Sequence, residues 1–411
     1  MLWLKLGWRN LWRNPARSLV QLLVISGSLA FVIWMQNISG GTYEKMIQDA
    51  VRSGSGHLSL HHPEYVSERL TEMFFHLPPA QKMLENNPAL AHTLARLHLP
   101  ALARSSRENT SVMIMGVDFK AEAAVNPLLG SKRLVSGALP EDGSRDRAYL
   151  GLKLAEKLRI KVGQKFVVMF QDFSGEISSK LYRVGGIFKS GVTQIDNAMM
   201  FVDRRHLATS LGNPEAVHEV AIVLKDMHQL EQQLTALKVS CPAGSDFRVF
   251  RWEETAKQIA DTIKMDQAQF KFMIFLLFVL VGLGTVNLLL MSILERTREF
   301  GLLQSLGMQK SRIRQLILAE AFVLGLTGSA MGLGLGSLAS FYTWYYGLDM
   351  TAMFAAQEVA GLLFEPIIVS TWNWKWMAGL SLAMIILVLA ASIYPARKAL
   401  NVNPAEAMRV F

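Results

Sequence analysis

Three histidines, His57, His61 and His62, crowd a six-residue stretch, a residue type that binds metal ions. The run His57-Leu-Ser-Leu-His61 alternates polar and apolar residues as a strand does. At a rise of about 3.3 Å per residue, a strand sets His57 and His61 roughly 13 Å apart, too far to share an ion. The expected setting is a solvated strand edge. Glu141, Asp142 and Asp146 interleave with Arg145 and Arg147 and read as a charged turn, not as paired carboxylates for acid–base catalysis. Gly332 to Ser337 has the glycines of a phosphate-binding loop, but no Gly-Lys-Ser/Thr follows, and the chain has no Walker A motif. If ATP drives this protein, another chain binds it. The single cysteine, Cys241, excludes an intramolecular disulfide and a multi-thiolate metal site. No catalytic, cofactor-binding or metal residue is therefore assigned.

The elements around these residues explain why chemistry is sparse. Of 411 residues, 51% are hydrophobic and only 18% charged, against about 25% charged in typical soluble domains. Four stretches lack charge over the roughly 20 residues a bilayer crossing requires: Ser18 to Tyr43, Phe272 to Leu294, Ala321 to Leu348 and Trp376 to Ala396. Between the first two lies a polar segment, residues 44–271. The net charge of +9 collects beside the spans. Lys5, Arg9, Arg13 and Arg17 precede span one; Arg296, Arg298, Lys310, Arg312 and Arg314 follow span two; Arg397, Lys398 and Arg409 follow span four. The loop after span three carries Asp349, Glu358 and Glu365 and no base before Lys375. Basic residues near span ends stay cytoplasmic, so both termini and the middle loop are expected inside and the large segment outside, with no nucleic acid as partner. A rival reading takes residues 1–41 as a cleaved signal peptide, against which the uncharged run exceeds the usual apolar region of about 7 to 15 residues.

The division expected is an N-terminal amphipathic helix over 1–17, spans over 18–43, 272–294, 321–348 and 376–396, an outer domain with a stalk helix over 44–271, a cytoplasmic loop over 295–320, a short outer loop over 349–375 and a tail over 397–411. No Asp, Glu, Lys, Arg or His lies within a span, which argues against a proton relay or a charged pore. Span three is rich in small residues, Gly325, Gly328, Ser329, Gly332, Gly334, Gly336 and Ser337, a stripe suited to close helix contact either between protomers or within one chain.

The outer segment reads as mixed α+β. Strands are expected at Val112–Met115, Lys165–Phe170, Leu181–Phe188, Ala198–Val202 and Glu219–Leu224, and helices at Gly151–Leu158, Asp203–Leu211 and Met227–Leu237. A helix starting near Trp252, with Glu253 and Glu254 in its first turn, is expected to run through Ile263 into span two. Trp8, Arg9, Trp12 and Arg13 fit an interfacial amphipathic helix or a basic anchor with aromatic belt residues, ended at Pro15. In the loop after span two, Phe300, Leu303 and Leu306 fall at helical spacing, stopped by Gly307, and suit a groove on a soluble partner, with Glu299 beside them for a polar contact.

Two segments carry a family resemblance: Arg298-Glu-Phe-Gly-Leu-Leu-Gln-Ser-Leu-Gly307, and Tyr394-Pro-Ala-Arg-Lys-Ala-Leu-Asn-Val-Asn-Pro-Ala-Glu-Ala-Met-Arg409 with its Pro395, Ala396, Arg397, Pro404, Glu406 and Ala407. They resemble the FtsX-like permeases of ABC transporters, the MacB and LolC/LolE group. Met115-Gly-Val-Asp118, Leu150 to Leu158 and Tyr182 to Gly191 are similar to the MacB-like periplasmic core, whereas Gln304 and Ser305 stand where many relatives have Arg and Ala. The resemblance implies four transmembrane α-helices with a mixed α+β periplasmic domain between the first two, in a bacterial inner membrane. It further implies a coupling helix at Glu299, Phe300, Gly301, Leu302, Leu303, Leu306 and Gly307 that docks on a separate cytoplasmic ABC ATPase dimer, where ATP and Mg would bind. A second permease chain, identical or homologous, and a periplasmic carrier or adaptor complete the implied partners, with membrane lipid around the spans. By this resemblance, ATP-driven motion extracts a lipoprotein or other lipophilic substrate. The alternatives are MacB-like efflux of peptides or drugs through an adaptor and outer-membrane duct, and FtsX-like control of cell-wall hydrolases.

Overall fold

A computed structural model describes residues 7–10, 12–13, 15–242, 244–349 and 367–400. Its contacts separate a helical unit, with described residues from 7–43, 264–349 and 367–400, from an α/β unit within 44–263. The helical unit is built on Pro15–Ser53 (α1), Lys257–Glu295 (α2), Thr297–Ser305 (α3), Lys310–Tyr346 (α4) and Trp374–Leu400 (α5). All but α3 are long and apolar enough to cross a membrane. Pro15 suits a first helical position, because its φ is already helical and the N–H it lacks would have no partner there. At 1.5 Å per residue, the 39 residues of α1 and of α2 each reach about 58 Å, against a hydrocarbon layer of roughly 30 Å. Each helix therefore outruns its uncharged stretch, and the chain passes between the two units inside these helices. The expected helix from Trp252 is broken once. Trp252–Thr255 makes a separate turn, with the Arg251 N–H donating to the Glu254 carboxylate at 3.2 Å, and Ala256 leaves helical geometry before α2 begins.

The spans pack through Ile25, Leu29, Ile33, Leu324, Met384 and Val388. The small residues of α4 make this possible, and their use is internal to the chain. A Cβ added at Gly328 would meet Ile25, one at Gly332 would meet Leu29 and the Ser26 carbonyl, and one at Gly336 would meet Ile33, all on α1; one at Gly325 would meet Val388 of α5. A Cβ added at Gly334 would meet nothing beyond its own helix within 4 Å.

The α/β unit is organised by a ten-stranded mixed sheet: Leu58–His61 (β1), Leu90–Arg104 (β2), Asn109–Val117 (β3), Leu134–Gly137 (β4), Arg147–Gly151 (β5), Lys165–Gln171 (β6), Ile177–Phe188 (β7), Met199–Asp203 (β8), Glu219–Leu224 (β9) and Arg248–Arg251 (β10). The order is β10-β1-β9-β2-β3-β8-β5-β7-β4, and β6 pairs with both β2 and β7. Alternation along the strands feeds two cores. Ala148, Leu150, Met200 and Val202 join Leu154, Leu158 and Leu207 from the helices Leu152–Leu158 and Arg204–Ser210. Their neighbours Tyr149 and Phe201 turn the other way, to Val117, Phe119 and Leu128.

The five strands expected from sequence lie in β3, β6, β7, β8 and β9, and the three helical pieces are present with shifted ends. Glu141 to Asp146 forms a turn in which Asp142 accepts the Lys120 N–H at 3.3 Å. The histidine strand departs from expectation. β1 is flanked by β9 and β10, so it is no edge, and His61 is 4% exposed. The His57 ring accepts the Leu224 N–H at 3.0 Å.

Candidate functional site

Helix α3 is short, and its end is set by sequence. Gly307 takes φ +90°, the Met308 N–H donates to the Leu303 carbonyl and the Gly307 N–H to the Gln304 carbonyl, both at 3.0 Å. This is the Schellman arrangement, which needs a left-handed residue after the helix and brings Met308 over Leu303. Phe300 is 2% exposed and packs with Ile293, Ile313, Ile317 and Ala396, with Leu303 and Met308 against them. That corrects the expected face: Phe300 and Leu303 are held by the chain's own core and Gly301 is buried, while Leu302 and Leu306 stand 50% and 78% exposed. Spacing alone cannot say which of Phe300, Leu303 and Leu306 meets the chain's own core and which is left exposed.

Glu299 is likewise engaged within the chain. Arg13 forms a two-pronged ion pair with it, and Arg296 reaches it at 3.3 Å and Glu320 at 3.0 Å. Arg17 pairs with Glu295 at 2.6 Å. The basic residues that sequence assigned to a membrane surface thus also tie the N-terminal segment to α2 and α3. Residues 7–10 are helical with Arg9 exposed; Trp8 and Trp12 are about half exposed, their rings edge to face at 6.0 Å. Pro395 lies buried inside α5, Ala396 joins the Phe300 cluster, and Arg397 is exposed. The two segments that carried the resemblance therefore meet in one core. Pro404, Glu406 and Ala407 lie outside the described residues.

A second constellation, which sequence reasoning missed, sits in the α/β unit. Arg96 on β2 is wholly buried, and its guanidinium donates two parallel hydrogen bonds to Glu122, at 3.0 and 2.7 Å, the strong bidentate geometry. Its third arm donates to the Gly54 carbonyl and lies 3.6 Å from Glu219 on β9. Glu219 stands directly opposite Arg96 across the β9–β2 ladder, and the His98 Nε2–H donates to it at 2.7 Å. Burial alone would raise the Glu219 carboxyl; the His98 hydrogen bond and the Arg96 charge overcome it and hold the group well below the usual carboxylate range. Tyr65 stacks between His61, at 5.7 Å, and His218, at 4.9 Å. The only signals in the sequence were charges and imidazoles at strand positions, whose partners are far away along the chain.

Hydrogen bonds to both ring nitrogens fix His218 as neutral. His218 accepts the His98 N–H on Nδ1 at 3.1 Å and donates from Nε2 to the Thr71 carbonyl at 2.8 Å, so a second proton would face an N–H. Burial pushes its pKa down to about 4 and lowers that of His61 as well. The unfolded chain takes up such a proton below about pH 6.5, whereas folded His218 refuses it until near pH 4. Stability is therefore complete above pH 6.5 and falls as pH drops toward 4, by on the order of 3 kcal/mol for His218. The melting temperature of the purified protein should be lower at pH 5 than at pH 7; an equal or higher value at pH 5 contradicts this account.

Residues 18–238, more than half of the chain, match the MacB-like periplasmic core domain model, and residues 271–404 match the FtsX-like permease C-terminal model. An uncharacterized ABC transporter permease of Methanocaldococcus jannaschii is 25% identical over 279 residues, 66% of this chain and 63% of its own. The macrolide export ATP-binding/permease protein MacB of Salmonella paratyphi A is 30% identical over 148 residues, 34% of this chain and 23% of its own. The lipoprotein-releasing system transmembrane protein LolC of Haemophilus influenzae is 24% identical over 270 residues, 64% of each chain. In each case the match spans less than two thirds of the relative's length. The α/β sheet following the first apolar helix and the three apolar helices after it occupy the regions these two models match, and the chain belongs to the family of ABC transporter permeases of the MacB, LolC and FtsX type.

Proposed function

We propose that this chain is the membrane subunit of a mechanotransmission transporter: a separate cytoplasmic ATPase docks on α3, and its ATP-driven closure moves the α/β domain without substrate crossing the spans. The observation that carries this reading is α2, one helix without a break that holds both residues of the α/β unit and a complete apolar span. A helix shared in this way is the route by which displacement of the span would reach the domain. The uncharged spans agree, because they lack the charged side chains and histidines that usually mark ion and proton paths.

The substrate proposed is a lipoprotein or another lipophilic molecule, extracted from the membrane and handed to a periplasmic carrier. The match to LolC, extending over 64% of both chains, favours it. MacB-like efflux is the second reading, supported by the 30% identity to a macrolide exporter over a shorter stretch. Affinity purification in mild detergent tests all of this. The chain should bring down an ABC ATPase, a second permease chain and lipidated proteins; an adaptor with an outer-membrane duct would favour efflux, and a hydrolase activator would favour FtsX-like signalling. ATP turnover by the purified chain itself, with contaminating ATPases excluded by mass spectrometry, would sink the separate-partner reading.

The arrangement proposed has both termini and α3 in the cytoplasm and the α/β domain outside. With Cys241 replaced, a cysteine at Ser174 should react with an impermeant thiol reagent in intact spheroplasts, and one at Ser305 only after lysis. Labelling of position 305 from outside reverses the topology.

A further inference from the structure

Behind the Arg96 network lies a cavity of about 300 Å³, wholly within the α/β unit, at the lower end of the size range for small-ligand pockets. His61 and Glu219 line it, each more than nine-tenths buried, and each keeps one atom without a hydrogen bond: His61 Nε2, and Glu219 Oε1, whose nearest charge is the Arg96 guanidinium at 3.6 Å. Buried polar atoms are nearly always satisfied, so two such atoms on one cavity wall call for an explanation. Both are acceptors. His61 donates its Nδ1 proton to the His218 carbonyl at 3.0 Å, which leaves a lone pair on Nε2, and Glu219 is a carboxylate. The buried charges are also unequal: one guanidinium, Arg96, faces two carboxylates, Glu122 and Glu219, with His98 hydrogen-bonded to the second.

The rest of the lining adds two further requirements. Met113, Met115 and Met199 supply a flexible, polarizable apolar wall. Arg69, exposed at the end of the short helix Tyr65–Glu68, also lines the cavity and makes no ion pair among the described residues.

We propose that this cavity binds a small zwitterion with an apolar side chain, a free α-amino acid or a short peptide, its ammonium received by His61 Nε2 and Glu219 and its carboxylate by Arg69. The methionines hold the apolar side chain. A cation without a carboxylate leaves Arg69 unpaired, and an anion without an ammonium leaves both acceptors without a hydrogen bond.

Calorimetric titration of the purified full-length chain in detergent, without any ATPase, tests this, so its failure leaves the coupling reading untouched and the reverse also holds. L-leucine and L-leucyl-L-leucine are the probes, and N-acetyl-L-leucine, which lacks the ammonium, is the control. Saturable binding of either probe is expected, with leucine the tighter if the natural ligand is a free amino acid and the dipeptide the tighter if it is a peptide. The control should bind at least roughly tenfold more weakly, a difference of about 1.4 kcal/mol. Arg69→Ala should weaken the probe by a similar factor and Met113→Trp, which fills the cavity, should remove binding; both positions are partly or fully exposed, so the melting temperature should hold. Glu219→Gln is avoided because it disturbs the partner of Arg96. No saturable binding by either probe, equal binding of the control, or wild-type binding by both variants overturns the proposal.

Discussion

A permease carrying Leu302→Glu and Leu306→Glu should fold and insert normally yet fail to retain its ATPase. Both side chains are exposed, Leu302 on α3 and Leu306 as the residue that caps its end, four residues apart. Neither contributes to the Phe300 core beneath. Burying a leucine in a partner's groove is worth about 1.5 to 3 kcal/mol relative to exposure. Two charges in place of two leucines remove that gain and add the cost of desolvating carboxylates. Since about 1.4 kcal/mol is tenfold in affinity, the loss should reach roughly a hundredfold or more. Co-purification of the ATPase and stimulation of its hydrolysis are the readouts, with the melting temperature as control. Leu303→Glu should act differently: it places a charge against Ile313 and Ala396 and should lower the melting temperature before any effect on docking is considered. Wild-type retention of the ATPase by the double variant would show that α3 is not the docking element.

The second large effect is expected from Arg96→Met. The side chain is close in length and apolar, so its volume is largely replaced, but Glu122 and Glu219 are left as buried carboxylates without their cation. Breaking a buried pair from one side costs about 3 to 5 kcal/mol. For a domain of this size that corresponds to a fall in melting temperature of roughly 10 °C. Arg96→Lys should recover only part of the loss, because a single ammonium cannot reproduce the parallel bonds to Glu122 and the contact with the Gly54 carbonyl. Adding Glu122→Gln to Arg96→Met should restore some stability, since one of the stranded charges is then gone. An Arg96→Met protein that melts with the wild type would mean that the network contributes nothing to the fold.

Sequence by itself determined what short-range physics controls. Four uncharged runs could only become membrane-length helices, since in hydrocarbon every backbone polar group must be satisfied within the segment. Gly307 stops α3 because the turn needs a left-handed residue. Strands β6 to β9 announced themselves through β-branched and aromatic content. β2 did not: Leu90–Arg104 is rich in Leu, Ala and Arg and contains Pro100, a composition that favours helix or a break. Three strands pair with it, β9, β3 and β6, and those ladders override its local preference. Tertiary structure also decided which way each face turned. It placed Phe300 inward and Leu306 outward, set Gly328, Gly332 and Gly336 of α4 against α1, buried His61 where an exposed edge was expected, and set Arg96 against Glu122 and Glu219. Each of these depends on residues brought together from distant parts of the chain, and periodicity gives the existence of a face but never the identity of what covers it.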